Sequence, residues 1–303
     1  MIDAHHHFWN PHENYHPWLC DEPPIPFRYG DYSSIRQPYM PPQYFADAGH
    51  HNIVATVYVE TEWNSRDPGG EVDWVDALHA RTGHPGAVVA QAWLDREDVA
   101  DILAYAARSK LVRSARHKPQ AAASAAAAAR GATGSMDDPR WRDGYALLAQ
   151  HNLHFDLQTP WWHLDAACDL ARDFPNTTLV LNHTGLPSDR SEAGLQGWHQ
   201  AMGRLAECEN VRVKISGLGQ PGQPWSAHAN QWIVAETVNI FTPQRSMFAS
   251  NFPVDGLCGD MATIFDGFKS IVSELPESDQ AALFYDTALA TYRPVFARES
   301  ARG

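Results

Sequence analysis

The segment Ile2-Asp3-Ala4-His5-His6-His7-Phe8-Trp9 opens on apolar residues and runs into three consecutive histidines and two aromatics. It reads as a strand. Side chains alternate along a strand, so His5 and His7 share one face, about 6 to 7 Å apart, and His6 points the other way. Seven more short apolar or β-branched runs follow, at 53–60, 87–94, 111–117, 153–159, 178–183, 211–216 and 246–251. Stretches with helical spacing of their apolar residues lie between most of them, among them 95–108, 139–151, 164–174 and 231–241. Pro139 suits the first turn of its helix, where no backbone N–H is needed.

Strands that alternate with helices predict a parallel sheet with right-handed crossovers. Eight such units in 303 residues predict one (β/α)8 TIM-type barrel over residues 1–303. The rival is an open doubly wound sheet. Its nucleotide-binding form would want a glycine-rich phosphate loop, and neither GxGxxG nor a Walker motif occurs. No internal repeat or linker divides the chain. Residues 11–42, rich in proline and aromatics, predict a long loop over one end of the barrel after strand one, as packing cover or as a lid. The alanine run at 121–129, broken only by Ser124, reads as loop padding or a short helix.

Asp and Glu number 36 against 23 Lys and Arg, a net charge of −13. Such a chain repels nucleic-acid phosphates and anionic lipid overall, while a local basic pocket stays compatible. There is no run of 18 apolar residues and no basic-then-apolar leader, so neither a membrane span nor a signal peptide is expected. Cys20, Cys168, Cys208 and Cys258 are widely spread without a CxxC, which predicts reduced thiols and a cytoplasmic protein. The expected partner is a small-molecule substrate; a homo-oligomer stays open.

In a barrel of this kind, activity belongs at the C-terminal ends of the strands. His5 and His7, facing inward, would hold one metal ion or grip an anionic oxygen. Strand four ends in Arg113, Arg116 and His117, where two guanidinium groups suit a carboxylate; structural ion pairing is the alternative. On strand five, His154, Asp156 and Gln158 share a face. Gln158, nearest the end, is the candidate for substrate contact, His154 reads as structural, and Asp156 as a partner for a nearby cation. His183 closes strand six before a glycine turn. Lys214 lies among apolar residues on strand seven, an expensive place for a charge unless it is paired or used. Strand eight runs into Asn251 and, four residues on, Asp255.

The stretches Ile2-Asp-Ala-His-His-His-Phe-Trp, Asn182-His-Thr-Gly and Met247-Phe-Ala-Ser-Asn-Phe-Pro-Val-Asp, taken together, resemble the amidohydrolase superfamily. Within it, the chain is similar to the amidohydrolase-2 branch of sugar-lactone and dicarboxylate-lactone hydrolases. The resemblance implies a barrel and hydrolysis of a cyclic ester. It implies that His5, His7 and His183 are catalytic, polarising the ring carbonyl directly or through a zinc ion they hold. Many members end strand eight in Ser-Asp, where the aspartate handles water; here that position is Asn251, and Asp255 is the nearest replacement as base. Some similar lactonases work without a metal, so one divalent ion is compatible rather than implied. Arg113, Arg116, His117, Gln158, Lys214 and Asn251 are then the substrate-binding set. A metal-dependent decarboxylase and a non-catalytic sugar-acid binder are the alternative readings.

Overall fold

All eight apolar runs become strands in the computed structural model, which describes residues 1–297. They are β1 (Ile2–His6), β2 (Ala55–Val59), β3 (Ala87–Gln91), β4 (Val112–Arg116), β5 (His154–Leu157), β6 (Leu179–Leu181), β7 (Val211–Ile215) and β8 (Ser246–Phe248). They pair in chain order, all parallel, as one eight-stranded sheet. The seam between β8 and β1 closes just beyond β8. There the Asn251 N–H donates to the His5 carbonyl and the His7 N–H to the Phe252 carbonyl, both at 2.8 Å. Asp3 reinforces the seam by accepting from the Ser250 N–H at 2.9 Å and the Ser250 hydroxyl at 2.6 Å.

Both faces of the sheet are buried, which is why its strands read as apolar runs. Ala4, Val57, Val89, Val180 and Met247 fill the barrel interior. Tyr58, Phe155, Leu157, Val213 and Phe248 face outward into the helix layer. Each fully buried aromatic or branched side chain of this kind contributes about 1.5–3 kcal/mol. β1 departs from strict alternation. Its register shifts between Asp3 and His6, and Ala4 and His5 both face inward. His6 points outward as expected, among the rings of Phe8, Tyr44 and Tyr58.

The helical stretches form, trimmed by local chemistry. The expected 95–108 becomes Val99–Ala106, because the Arg96 guanidinium grips the Asp98 carboxylate at 2.8 and 2.7 Å and sets a turn. The expected 139–151 becomes Pro139–Ala146, capped by the Asp138 carboxylate, and then tightens into a 3₁₀ turn over Leu147–His151. The alanine run is exposed loop with a single 3₁₀ turn, Ala125–Ala127. The helix Thr287–Tyr292 closes the barrel at the N-terminal ends of the strands and inserts a fully buried Tyr292. Among the described residues, no helix is long and apolar enough to cross a membrane.

Burial of so many histidines makes the fold acid-sensitive. Desolvation pulls His6 down to about 3 and His16 to about 4, and it also lowers His154. Between those values and the ordinary 6.5 the unfolded chain binds protons that the folded chain refuses, so stability falls as pH drops through that window. Glu71, raised to about 7 by burial, and the buried Asp3 and Asp255, also raised, work in the opposite sense, but they are three carboxyls against ten lowered imidazoles. The urea midpoint is expected to fall from pH 7 to pH 5. A flat or rising midpoint would show that these imidazoles are solvated.

Candidate active site

A cavity of about 230 Å³ opens at the C-terminal ends of the strands. His7 and His183 line it, and His5 lies beneath them, fully buried. The His5 ring centroid is 5.0 Å from that of His7 and 4.6 Å from that of His183. His7 is anchored by Nδ1 on the Val59 carbonyl at 2.8 Å, and His183 by Nδ1 on the Ser216 hydroxyl at 2.9 Å. Each therefore keeps Nε2 free. Both ring nitrogens of His5 are buried without a partner. Burial holds all three rings well below the ordinary imidazole range, helped for His183 by nearby Arg28 and for His7 by Arg116. They are neutral at neutral pH, fit to accept a proton or bind an electrophile.

The backbone at this end is unusual. His183 has φ 55° and Asn251 φ 55°, in the left-handed region that side chains other than glycine rarely adopt. Strain of this kind persists only where surrounding contacts over-determine it. For Asn251 the contacts are clear: its N–H bonds across the seam to His5, and its Nδ2 donates to Asp255 Oδ1 at 2.7 Å. Its amide oxygen is thereby left for the cavity it lines.

Arg116, Gln158 and Asn251 reach the cavity wall as expected. The Arg116 guanidinium is tied to the buried Glu60 carboxylate and donates to the Gln158 side-chain oxygen at 3.1 Å. Four other expectations need correction. Arg113 sits at the opposite end, because it is the second residue of β4, three before Arg116; it donates to the carbonyls of Lys110, Val112 and Arg293. His117 faces a neighbouring cavity, where its Nδ1 accepts the Leu94 N–H at 3.1 Å. Lys214 lies below the histidines, 2.6 Å from Asp156 Oδ1, with both side chains 0% exposed. Tyr292 and Asn182 also donate to that carboxylate, so Asp156 is the cation partner that β5 suggested and Lys214 is its cation.

Asp255 does not face the cavity. Its carboxylate is buried and accepts from the Tyr29 hydroxyl at 2.9 Å, Asn251 Nδ2 at 2.7 Å and the Gly217 N–H at 3.0 Å. Those three donors come from the long loop, the end of β8 and the end of β7. Asp255 thus ties three elements together and orients Asn251, with its lone pairs already engaged.

Sequence reasoning missed Arg28, Lys118 and Glu60, and left Trp9 and Trp18 open between stacking on a sugar ring and filling the core or lid; both line the cavity. Trp9 follows β1 directly, and Trp18, Phe27 and Arg28 come from the long loop, which is a lining element as well as a cover. It is held down by its own packing. Trp18 stacks on Phe27 at 5.6 Å, the Trp18 N–H donates to the Thr61 carbonyl at 2.9 Å, and the Trp9 N–H donates to Ile35 and Gln37 carbonyls. The density of proline and aromatics in 11–42 was the available signal. Which residues face inward depends on contacts far apart in sequence.

The amidohydrolase family model matches residues 2–293. The chain is 35% identical over 293 residues to the uncharacterized protein y4mH of Sinorhizobium fredii, across 97% of this chain and 98% of that protein. It is 28% identical to an L-fucono-1,5-lactonase of Burkholderia ambifaria, across 85% of this chain and 82% of that one. Among solved structures, an amidohydrolase from Burkholderia multivorans with bound zinc superposes with a TM-score of 0.79, at 23% identity, over 97% of this chain and 99% of that one, a likeness of fold. With the family match running almost end to end and the histidine cluster at the mouth of an eight-stranded barrel, the chain belongs to the amidohydrolase family.

Proposed function

We propose that the protein is a lactonase that opens the ring of a sugar lactone or a related carboxylated lactone. The observation that carries this reading is the cluster of three neutral imidazoles, His5, His7 and His183, beneath a small cavity with aromatic walls and three cations, Arg28, Arg116 and Lys118. Aromatic faces suit sugar rings, and the cations suit the carboxylate that ring opening produces. The L-fucono-1,5-lactonases among its relatives support the same reading.

Members of the family commonly bind a divalent metal, and the chemistry of the donors here is compatible with one. His5 has two unpartnered buried nitrogens, and His7 offers Nε2 while its Nδ1 is held by the Val59 carbonyl, the outer contact that orients a metal-binding imidazole; Nε2 of His183 stays free to act as a base. A bound ion would polarise the lactone carbonyl and acidify water. The protein's own groups account for the rest. Nε2 of His183 takes the proton of the attacking water. Water oxygen bonds to the ring carbonyl carbon, the ring C–O bond breaks, and the proton passes to the departing alkoxide. The Asn251 amide oxygen, held by Asp255, orients a hydroxyl or the water. Arg116 and Lys118 stabilise the negative charge that grows on the carbonyl oxygen.

Proton release from aldono-1,4-lactones, aldono-1,5-lactones and 2-pyrone-4,6-dicarboxylate tests the proposal. Turnover of one class is expected, with the hydroxy acid as product. Silence across the panel, with and without added zinc, would overturn it, and release of carbon dioxide from an aromatic or unsaturated acid would reassign the site to decarboxylation.

A further inference from the structure

A second cavity, of about 460 Å³, adjoins the first. Arg28 lines both. The dividing wall is thin. A Cβ on Gly217 would come within 2.6 Å of His183 Nδ1 and 3.0 Å of an Arg28 Nη, so backbone, imidazole and guanidinium are in contact there. Gly217 also has φ +64°, which disfavours any larger residue. The second chamber is walled largely by apolar groups, among them Tyr29, Trp162, Leu186 and Pro187. It also carries Arg190.

Arg190 is held by neutral acceptors alone. One Nη donates to the Leu218 carbonyl and to Asn230 Oδ1, both at 3.2 Å, and its buried Nε has no partner. Among the described residues, no carboxylate lies within ion-pairing distance of it, whereas Arg116 and Lys118 in the first chamber are matched by Glu60 and Glu62. In a chain of net charge −13, a half-buried guanidinium without a counter-ion in an apolar wall is costly unless something supplies the charge.

We infer that the second chamber is a substrate subsite for an apolar arm ending in a carboxylate, with the arm passing Arg28 and the carboxylate bound by Arg190. This rests on the lactonase reading and narrows it: the preferred lactone carries an acid-terminated side chain, with its reacting ring at the histidines.

The test uses a δ-lactone bearing a 3-carboxypropyl side chain and the primary amide of the same compound. Wild-type protein is expected to prefer the acid by about tenfold or more in kcat/KM, the scale of one charge-assisted hydrogen bond. Arg190→Gln should abolish the preference and Arg190→Lys should retain part of it. Ser188→Asp, at an exposed position on the chamber wall, places a negative charge there without touching the Arg190 contacts and should also reduce the preference. Equal use of acid and amide by wild type, or an unchanged preference in both Arg190→Gln and Ser188→Asp, would overturn the subsite. If neither lactone is opened, the lactonase reading has failed and calorimetric titration decides the subsite separately. Binding of 4-phenylbutyrate but not 4-phenylbutyramide, lost in Arg190→Gln and weakened in Ser188→Asp, supports it. Absence of that difference overturns it.

Discussion

Lys214→Met is expected to destabilise the fold by about 3–5 kcal/mol, the usual cost of breaking a buried ion pair by removing one partner. The substitution keeps most of the side chain's volume and removes the charge. It leaves the Asp156 carboxylate in the barrel interior with only the Tyr292 hydroxyl and the Asn182 amide as donors. A carboxylate so placed either pays desolvation or takes up a proton. The double variant Asp156→Asn, Lys214→Met removes both charges and is expected to recover most of the loss, because a neutral polar interior of similar shape lacks the orphaned charge. Urea unfolding checks this: the midpoint should drop in the single variant and return in the double, at an unchanged slope. A single variant of near-native stability with a raised KM would show that Lys214 meets substrate after all.

His183→Asn should cut lactone turnover by about 10²–10⁴ in kcat/KM, the range for loss of a positioned acid–base group. Asparagine is the informative choice because residue 183 has φ 55°, a conformation asparagine tolerates far better than alanine does. The unfolding free energy should therefore change by no more than about 1 kcal/mol, separating a chemical role from a structural one. Turnover within threefold of wild type would remove His183 from the proton transfer and leave His7, the other imidazole with a free Nε2 on the cavity, as the base.

Much of the candidate site was legible because it sits where strand ends are. His5, His7, His183, Arg116, Gln158 and Asn251 are each at or just past the end of a strand that the apolar pattern located, and a barrel gathers those ends at one mouth. The misplacements share a physical cause. Arg113 was grouped with the end of β4, but it is the second residue of that strand, and three residues of rise put it at the other end of the barrel from Arg116. Lys214 points inward as alternation requires, yet depth along the barrel axis, set by strand tilt and stagger, places it under the histidines. Asp255 was chosen by proximity to Asn251 in sequence, and that proximity is real; its direction was set by Tyr29 and Gly217, which come from elsewhere in the chain.

What the sequence by itself determined was the barrel, the eight strands, and histidines gathered at the ends of β1 and β6, because those follow from local apolar patterning and from residues at strand ends. Only the tertiary structure decided which charges are spent on each other and which face a cavity. Pairing depends on three-dimensional distance: Lys214 meets Asp156, Arg116 meets Glu60, and Asp255 meets Tyr29 across 226 positions of chain. Arg28 lies 3.7 Å from Asp255 Oδ1, whereas Arg190, among the described residues, has no carboxylate within ion-pairing distance and is held by Leu218 and Asn230.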